Sequence, residues 1–271
     1  MQLEERRIGI VGAGNMGQAL IAGLVAAGRI EPRRITAADP LPAAREAVAA
    51  SGVCAVRDPA RAVTGHDVVI LTIKPQVAAQ VLPGLADCLT QAQLLVSCMA
   101  GIGTGVLEGQ IRSQIPVVRA MPQTLVRLRA GATALCAGTM AGAEHVALAR
   151  ELFDQVGTTV VVAEQLMDAV TGLAGSGPAY AYTVLQALTD GGVRMGLPRE
   201  IARTLAAQTL LGAARMVLEG NQHPAVLRDQ VTSPGGTTIA GLYELEAGGL
   251  GASIMRAVAA ATVRSKELGA G

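Results

Sequence analysis

A short apolar run, Ile8-Gly9-Ile10-Val11, meets Gly12-Ala13-Gly14-Asn15-Met16-Gly17, and a helical pattern begins at once. That junction is demanding. A strand must end, the chain must turn tightly, and a helix must start against the strand it has just left. Gly12 permits the turn, Gly14 lets a ligand approach bare backbone, and Gly17 lets helix and strand pack closely. The helix start supplies free N–H groups and a positive dipole end, which suit a phosphate. A lone G-x-G-x-x-G spacing is weak evidence. Following a strand, opening a helix and starting a β-α-β unit, it reads as the fingerprint of a dinucleotide site at Val11, Gly12, Ala13, Gly14, Asn15, Met16 and Gly17. A glycine turn with no ligand is the competing reading.

The same alternation continues through the first half of the chain. Runs at 7–11, 34–38, 67–73, 94–98 and 116–120 are short, rich in Val, Ile and Leu, and do not alternate, as expected of strands buried on both faces of a parallel sheet. Helical stretches at 16–27, 43–51, 77–82 and 104–111 separate them. Further strands are expected at 132–136 and 158–162, with a helix at 143–155 between them. Repeated β-α-β order implies an α/β, Rossmann-type doubly wound sheet. After residue 164 the strand signal stops, and helices are expected at 166–173, 179–195, 199–219, 224–231, 238–247 and 251–268. Two domains follow: a dinucleotide-binding domain at 1–164 and an all-helical domain at 165–271.

Composition narrows the function classes. The 22 basic and 21 acidic residues are interspersed and leave a net charge of +1, so no nucleic-acid partner is expected. Hydrophobic residues make up 51% and aromatics 1%, so the core must be close-packed aliphatic side chains. A long uncharged run, 169–189, has the length of a membrane span, but Gly172, Gly175, Ser176, Gly177 and Pro178 interrupt it. No membrane span is expected, and the high apolar content points to burial between subunits. The charged opening residues do not resemble a secretion signal. Cys54, Cys88, Cys98 and Cys136 form no C-x-x-C pair, so no metal site is expected and the cysteines read as reduced, in a cytoplasmic protein.

Ligands of such sheets collect beyond the carboxyl ends of the strands. Asp39 ends the second strand, about 20 residues past the glycines, where an acid holds the adenosine ribose in NAD enzymes. That reading favours NADH over NADPH, because a carboxylate repels a 2′-phosphate. Asp39 reads equally well as a cap for the helix after Pro40, and Arg33, Arg34 and Arg45 stand close enough in sequence to hold a phosphate instead. The cofactor is therefore NADPH or NADH. Lys74-Pro75 and Cys98-Met99-Ala100 close two more strands and join the candidate cofactor residues. His66, His145 and His223 read as surface or capping residues, Met195 and Met216 as core, and Tyr180 and Tyr182 as packing residues.

Asp229-Gln230-Val231-Thr232-Ser233-Pro234-Gly235-Gly236-Thr237-Thr238-Ile239-Ala240-Gly241-Leu242 resembles the signature of the pyrroline-5-carboxylate reductase family. So do the stretch from Asp168 to Tyr180, the stretch from Asp190 to Pro198, Gln222-His223-Pro224, Lys74-Pro75 and the run from Ser97 to Gly101. The likeness runs from the glycine loop to the last helix. It implies NAD(P)H-dependent reduction of 1-pyrroline-5-carboxylate to L-proline, and a helical domain that dimerises, with dimers assembling into decamers. It places the substrate between the nicotinamide and the Ser233–Thr238 loop of a partner subunit, and it implies a substrate role for Glu164. The residues agree: Ser233-Pro234-Gly235-Gly236 reads as a turn, and Thr237 and Thr238 open a helix whose free N–H groups suit a small carboxylate. Thr238 can hold the ring nitrogen, since a hydroxyl both donates and accepts. Val231, Ser233, Gly235, Gly236, Thr237, Thr238 and Glu164 are thus the candidate substrate residues, with Thr238 the catalytic one. A plain helix cap at Thr237/Thr238 and a solvated hinge carboxylate at Glu164 are the alternatives.

The chain departs from the family at Gln123 and Leu125, where the pattern reads M-P-N-x-P, and more mildly at Gln230. It also carries Asp39 where NADP-preferring members have Ser or Asn-Arg. Dehydrogenases of the β-hydroxyacid type place a Lys six residues beyond a G-x-G and an Asn four further on. Counting from Gly175, those positions are Ala181 and Leu185, so alcohol oxidation is disfavoured. A non-catalytic dinucleotide sensor is the remaining rival.

Overall fold

Strands β1 (Ile8–Val11), β2 (Ile35–Ala38), β4 (Val68–Leu71) and β5 (Leu94–Ser97) are buried along their whole length, as their uncharged, mainly aliphatic runs suggest. In the computed structural model, which describes residues 2–111 and 114–269, they belong to one eight-stranded sheet. Its other strands are β3 (Cys54–Val56), β6 (Val117–Met121), β7 (Gly131–Ala137) and β8 (Gly157–Val161). The order is β3-β2-β1-β4-β5-β6-β7-β8. Six strands, β1 to β6, run parallel. β7 turns antiparallel to β6, and β8 runs parallel to β7. Only residues 122–130 join β6 to β7, too few for the crossover that a parallel return needs. Strand β3 was not expected from the sequence. It is short and only partly buried, so it carries no hydrophobic pattern.

The helices of this sheet are α1 (Asn15–Ala27), α2 (Pro42–Ala49), α3 (Ala60–Val63), α4 (Ala78–Ala86), α5 (Thr104–Ile111) and α6 (Ala143–Phe153). Helix α4 continues past Leu82 to Ala86, with Pro83 inside it. Two hydrophobic clusters cover the two faces. Ile8, Ile10, Val68 and Ile70 point to one cluster with Leu20, Leu24 and Phe153, the chain's single phenylalanine. Val11, Val69 and Leu71 point to the other with Leu82 and Leu107. The period-two alternation of strand side chains thus loads both layers from one uninterrupted run.

The rest is helical: α7 (Met167–Val170) running into a π-helical turn at Thr171–Gly175, α8 (Gly177–Arg194), α9 (Arg199–Gly220), α10 (Pro224–Gln230), α11 (Thr237–Ala247) and α12 (Leu250–Gly269). The chain divides into two compact units. One contains residues up to Gly175 and those from Ala260 onward; the other is Ser176–Ala259. The division therefore differs from the 164/165 boundary read in the sequence. The end of α12 belongs to the first unit, where the Ser265 hydroxyl donates to Asp168 Oδ1 at 2.7 Å.

Within the second unit, the buried residues are Thr189, Ala202 and Ala206, all small. Met195 and Met216 are exposed, as are Tyr182, Leu205 and Tyr243. The two methionines are thus not core residues of a single chain. Their helical spacing marks apolar faces that one copy of the unit cannot cover. Tyr180 differs from Tyr182, since its hydroxyl donates to the Ala257 carbonyl at 3.4 Å. No helix among the described residues is long and apolar enough to cross a membrane.

Candidate active site

The glycine loop is locked from below. Gly12 sits at φ +105°, and a Cβ there would come within 2.9 Å of the Ile73 backbone nitrogen. A Cβ on Gly17 would lie 2.1 Å from the Gly12 carbonyl oxygen, so strand and helix meet there with no room for a side chain. The Thr72 hydroxyl donates to the Gly12 carbonyl at 2.5 Å, and Gln18 Nε2 donates to the Ala13 carbonyl at 2.7 Å. The N–H groups of Gly12 and Ala13 are also taken, by the Ala38 carbonyl and by Asp39 Oδ2, both at 2.8 Å, so the open N–H groups lie further on. The Gln18 N–H bonds the Gly14 carbonyl at 2.9 Å, so the N–H groups of residues 15–17 precede the first turn of hydrogen bonds, and no side chain caps them. Gly14 is exposed, with nothing within 4 Å of where its Cβ would stand. This cradle fits a pyrophosphate.

A cavity of about 330 Å³ adjoins it, lined by Val11, Gly12, Gly14, Asp39 and Lys74 among the expected cofactor residues. The others are placed differently. Ala13 is fully buried, and Asn15, Met16 and Gly17 form the first turn of α1. Pro75 opens a 3-10 turn, Pro75–Val77. Met99 is buried in the core layer, while Cys98 and Ala100 pack against core clusters beyond β5. Burial pushes the Cys98 thiol up to about 12, so it stays protonated and supplies no nucleophile. Asp39 uses both carboxylate oxygens on backbone: Oδ2 accepts from the Ala13 N–H at 2.8 Å and Oδ1 from the Leu41 N–H at 2.9 Å. Two lining residues, Thr72 and Arg57, were not singled out in the sequence.

A second cluster in the same unit surrounds Glu164, which opens a 3-10 turn after β8. Its Oε1 accepts from the Thr104 N–H and its Oε2 from the Thr104 hydroxyl, both at 2.6 Å. Thr104 is the first residue of α5, so the helix dipole also favours the carboxylate. Arg119 Nη1 lies 3.6 Å from Glu164 Oε1, and the Arg119 side chain is only 5% exposed. Its Nε and Nη2 are buried without a hydrogen-bond partner. Arg119, Glu164, Asp168 and Lys266 line a cavity of about 370 Å³. Burial and the Glu164 charge push the neighbouring Cys136 thiol up to about 11. The sequence did carry a signal for Arg119, a lone cation inside the apolar strand Val117–Met121.

The third element lies in the second unit. The Gly236 N–H bonds the Ser233 carbonyl at 3.1 Å and closes the Ser233–Gly236 turn, with Gly235 at φ +65°. Helix α11 then starts at Thr237 with no side-chain cap, so its first N–H groups are open. Thr237 is exposed and Thr238 half-buried; Val231, just past α10, is exposed and borders an apolar groove of about 350 Å³. His223 Nδ1 accepts from the Ala225 N–H and His145 Nδ1 from the Gly142 N–H, so both cap helices. His66, read as a surface or capping residue, is buried, because it sits between the end of α3 and β1.

Comparison with known proteins finds matches in both halves of the chain. Residues 164–268 match the family described as pyrroline-5-carboxylate reductase dimerisation, and residues 7–101 match NADP oxidoreductase, coenzyme F420-dependent. The pyrroline-5-carboxylate reductase of Methanosarcina acetivorans is 44% identical over 268 residues, 98% of this chain and 99% of that protein. That of Arabidopsis thaliana is 44% identical over 266 residues, 98% of this chain and 96% of that protein. The crystal structure of Plasmodium falciparum pyrroline carboxylate reductase with NADP bound superposes with a TM-score of 0.90 at 30% identity, covering 99% of this chain and all of that one. With relatives this similar along nearly its whole length, the chain belongs to the pyrroline-5-carboxylate reductase family.

Proposed function

We propose that Thr238 and the start of α11 hold 1-pyrroline-5-carboxylate while it is reduced to L-proline, the last step of proline synthesis. The observation that carries this reading is the uncapped N-terminus of α11 behind the Ser233–Gly236 turn. An open helix start with a hydroxyl at its second residue suits a ligand that presents a carboxylate and a ring nitrogen together. The N–H groups of Thr237 and Thr238, with Ser233, take the carboxylate. Gly235 and Gly236 keep the approach free of side chains, and Val231 borders the ring. The Thr238 hydroxyl holds the nitrogen; Glu164, held by Thr104, is a further proposed substrate residue.

The chain is an NAD(P)H-dependent oxidoreductase. The reduced nicotinamide, when bound, supplies the hydride. A protonated C=N ring is already electrophilic. Hydride adds to its carbon, the π electrons pass to nitrogen, and nitrogen keeps its proton. No strong acid is needed, so the protein contributes orientation and exclusion of water. The helical unit is a dimerisation domain; a decamer of five dimers and a cytoplasmic location remain part of this proposal, the latter resting on four free cysteines.

Steady-state kinetics test the function. Oxidation of NADPH or NADH that depends on pyrroline-5-carboxylate supports it. Cofactor binding with no turnover would favour a sensor, and turnover of 3-hydroxy acids alone would favour the other dehydrogenase type. Sedimentation separates dimer from decamer.

A further inference from the structure

The acid at the end of β2 argues for NADH only if its oxygens are free to meet ribose hydroxyls. They are not. Asp39 is 9% exposed, and each of its oxygens already accepts a backbone N–H, from Ala13 on the glycine loop and from Leu41 on the next turn. The carboxylate ties those two loops together, and the two N–H dipoles offset its charge.

The neighbouring strand supplies a cation. The Asp39 N–H bonds the Val56 carbonyl at 3.1 Å, so Arg57, the next residue, comes level with Asp39 at the carboxyl edge of the sheet. Arg57 lines the same cavity as Asp39, Leu41, Pro59 and Lys74. The arginines that the sequence offered for this role already have partners. Arg33 pairs with Glu31, Arg34 donates to the Glu5 carbonyl, and Arg45 donates to the Asp39 and Pro40 carbonyls. Arg57 is exposed and makes no ion pair or hydrogen bond among the described residues. An unengaged guanidinium on a cavity wall presents a planar fork of donors, the geometry that phosphate accepts.

We propose that Arg57 receives the adenosine 2′-phosphate and makes the chain prefer NADPH, although an acid stands at the end of β2. This deepens the reading of the glycine loop as a dinucleotide site and rests on it.

The test is calorimetric titration of the intact protein with adenosine 2′,5′-diphosphate and with 5′-AMP, which needs no turnover. Wild type should bind the diphosphate roughly ten- to a hundredfold more tightly, the range expected of one charge-assisted bidentate contact. Arg57→Ala should abolish that gap and leave 5′-AMP affinity unchanged; Arg57→Lys should keep part of it. Arg57 is exposed, so both variants should fold, which their unfolding midpoints check. Equal affinity of wild type for the two nucleotides would overturn the proposal. So would a gap that survives Arg57→Ala, or one that only Lys74→Ala removes. If neither nucleotide binds folded wild type, the dinucleotide site itself is wrong.

Discussion

Replacing Asp39 by alanine separates two roles with opposite signatures. In the structure its carboxylate is a brace: Oδ2 holds the N–H of Ala13, a fully buried residue, and Oδ1 holds that of Leu41. Removing the carboxylate leaves the Ala13 N–H buried and without its acceptor, which costs about 1–3 kcal/mol, towards the upper end because the acceptor is charged. Leu41 is exposed, so water can replace its partner at little cost. Asp39→Ala should therefore destabilise the chain by about 2–3 kcal/mol, a large part of a typical stability. Urea unfolding followed by circular dichroism, at one fixed protein concentration, measures it. Because the loose loop serves both cofactors, NADPH and NADH should weaken together, and their ratio of kcat/KM should move by less than about twofold. Asp39→Asn, which can accept only one of the two N–H groups, should fall between. Selective loss of NADH by tenfold or more, with stability unchanged, would show that Asp39 binds ribose and refute the brace.

Three further outcomes are expected. Thr238→Ala should lower kcat while cofactor affinity stays within about twofold; equal loss of both would reduce Thr238 to a helix residue. Arg119→Met removes a buried cation whose Nε and Nη2 have no partner, so it should cost less than about 1 kcal/mol of stability while raising the substrate KM by roughly tenfold. A loss of about 3–5 kcal/mol with KM unchanged would make the Arg119–Glu164 pair purely structural. Burial lowers the His66 pKa below its ordinary 6.5, so the fold holds this imidazole neutral. The unfolded chain then binds the proton more readily, and stability is full above pH 6.5 and declines as pH falls below it. His66→Gln should flatten the drop in unfolding midpoint below that pH, and an unaltered slope would assign the acid sensitivity elsewhere.

Much of the architecture is written in local pattern. Unbroken aliphatic runs at β1, β4 and β5 announce a sheet covered on both faces, because burial on each side leaves no polar positions to alternate. The Gly12–Gly17 spacing declares the strand–turn–helix junction, since only glycine satisfies its close approaches. The Ser233–Thr238 run likewise shows its turn and helix start. Periodicity missed β3, which is too short and exposed to carry one, and the antiparallel turn of β7, which depends on the length of the link before it.

What the linear order left open were matters of partnership. A lone Asp39 reads as ribose ligand or as cap, and the choice came from Ala13 and Leu41 donating to it across 26 and 2 positions. Arg57, Arg119 and Thr104 gained their places because sheet order carries distant strand and helix ends to common edges. Met195 and Met216 look like core by spacing and prove exposed, because burial depends on which surfaces meet, and one copy of the helical unit does not supply the other side. The chain alone therefore determined most of its elements, its glycine cradle and its family. Tertiary structure decided which charges are satisfied and which stay open, because a hydrogen bond or ion pair depends on distance in space and not on separation along the chain.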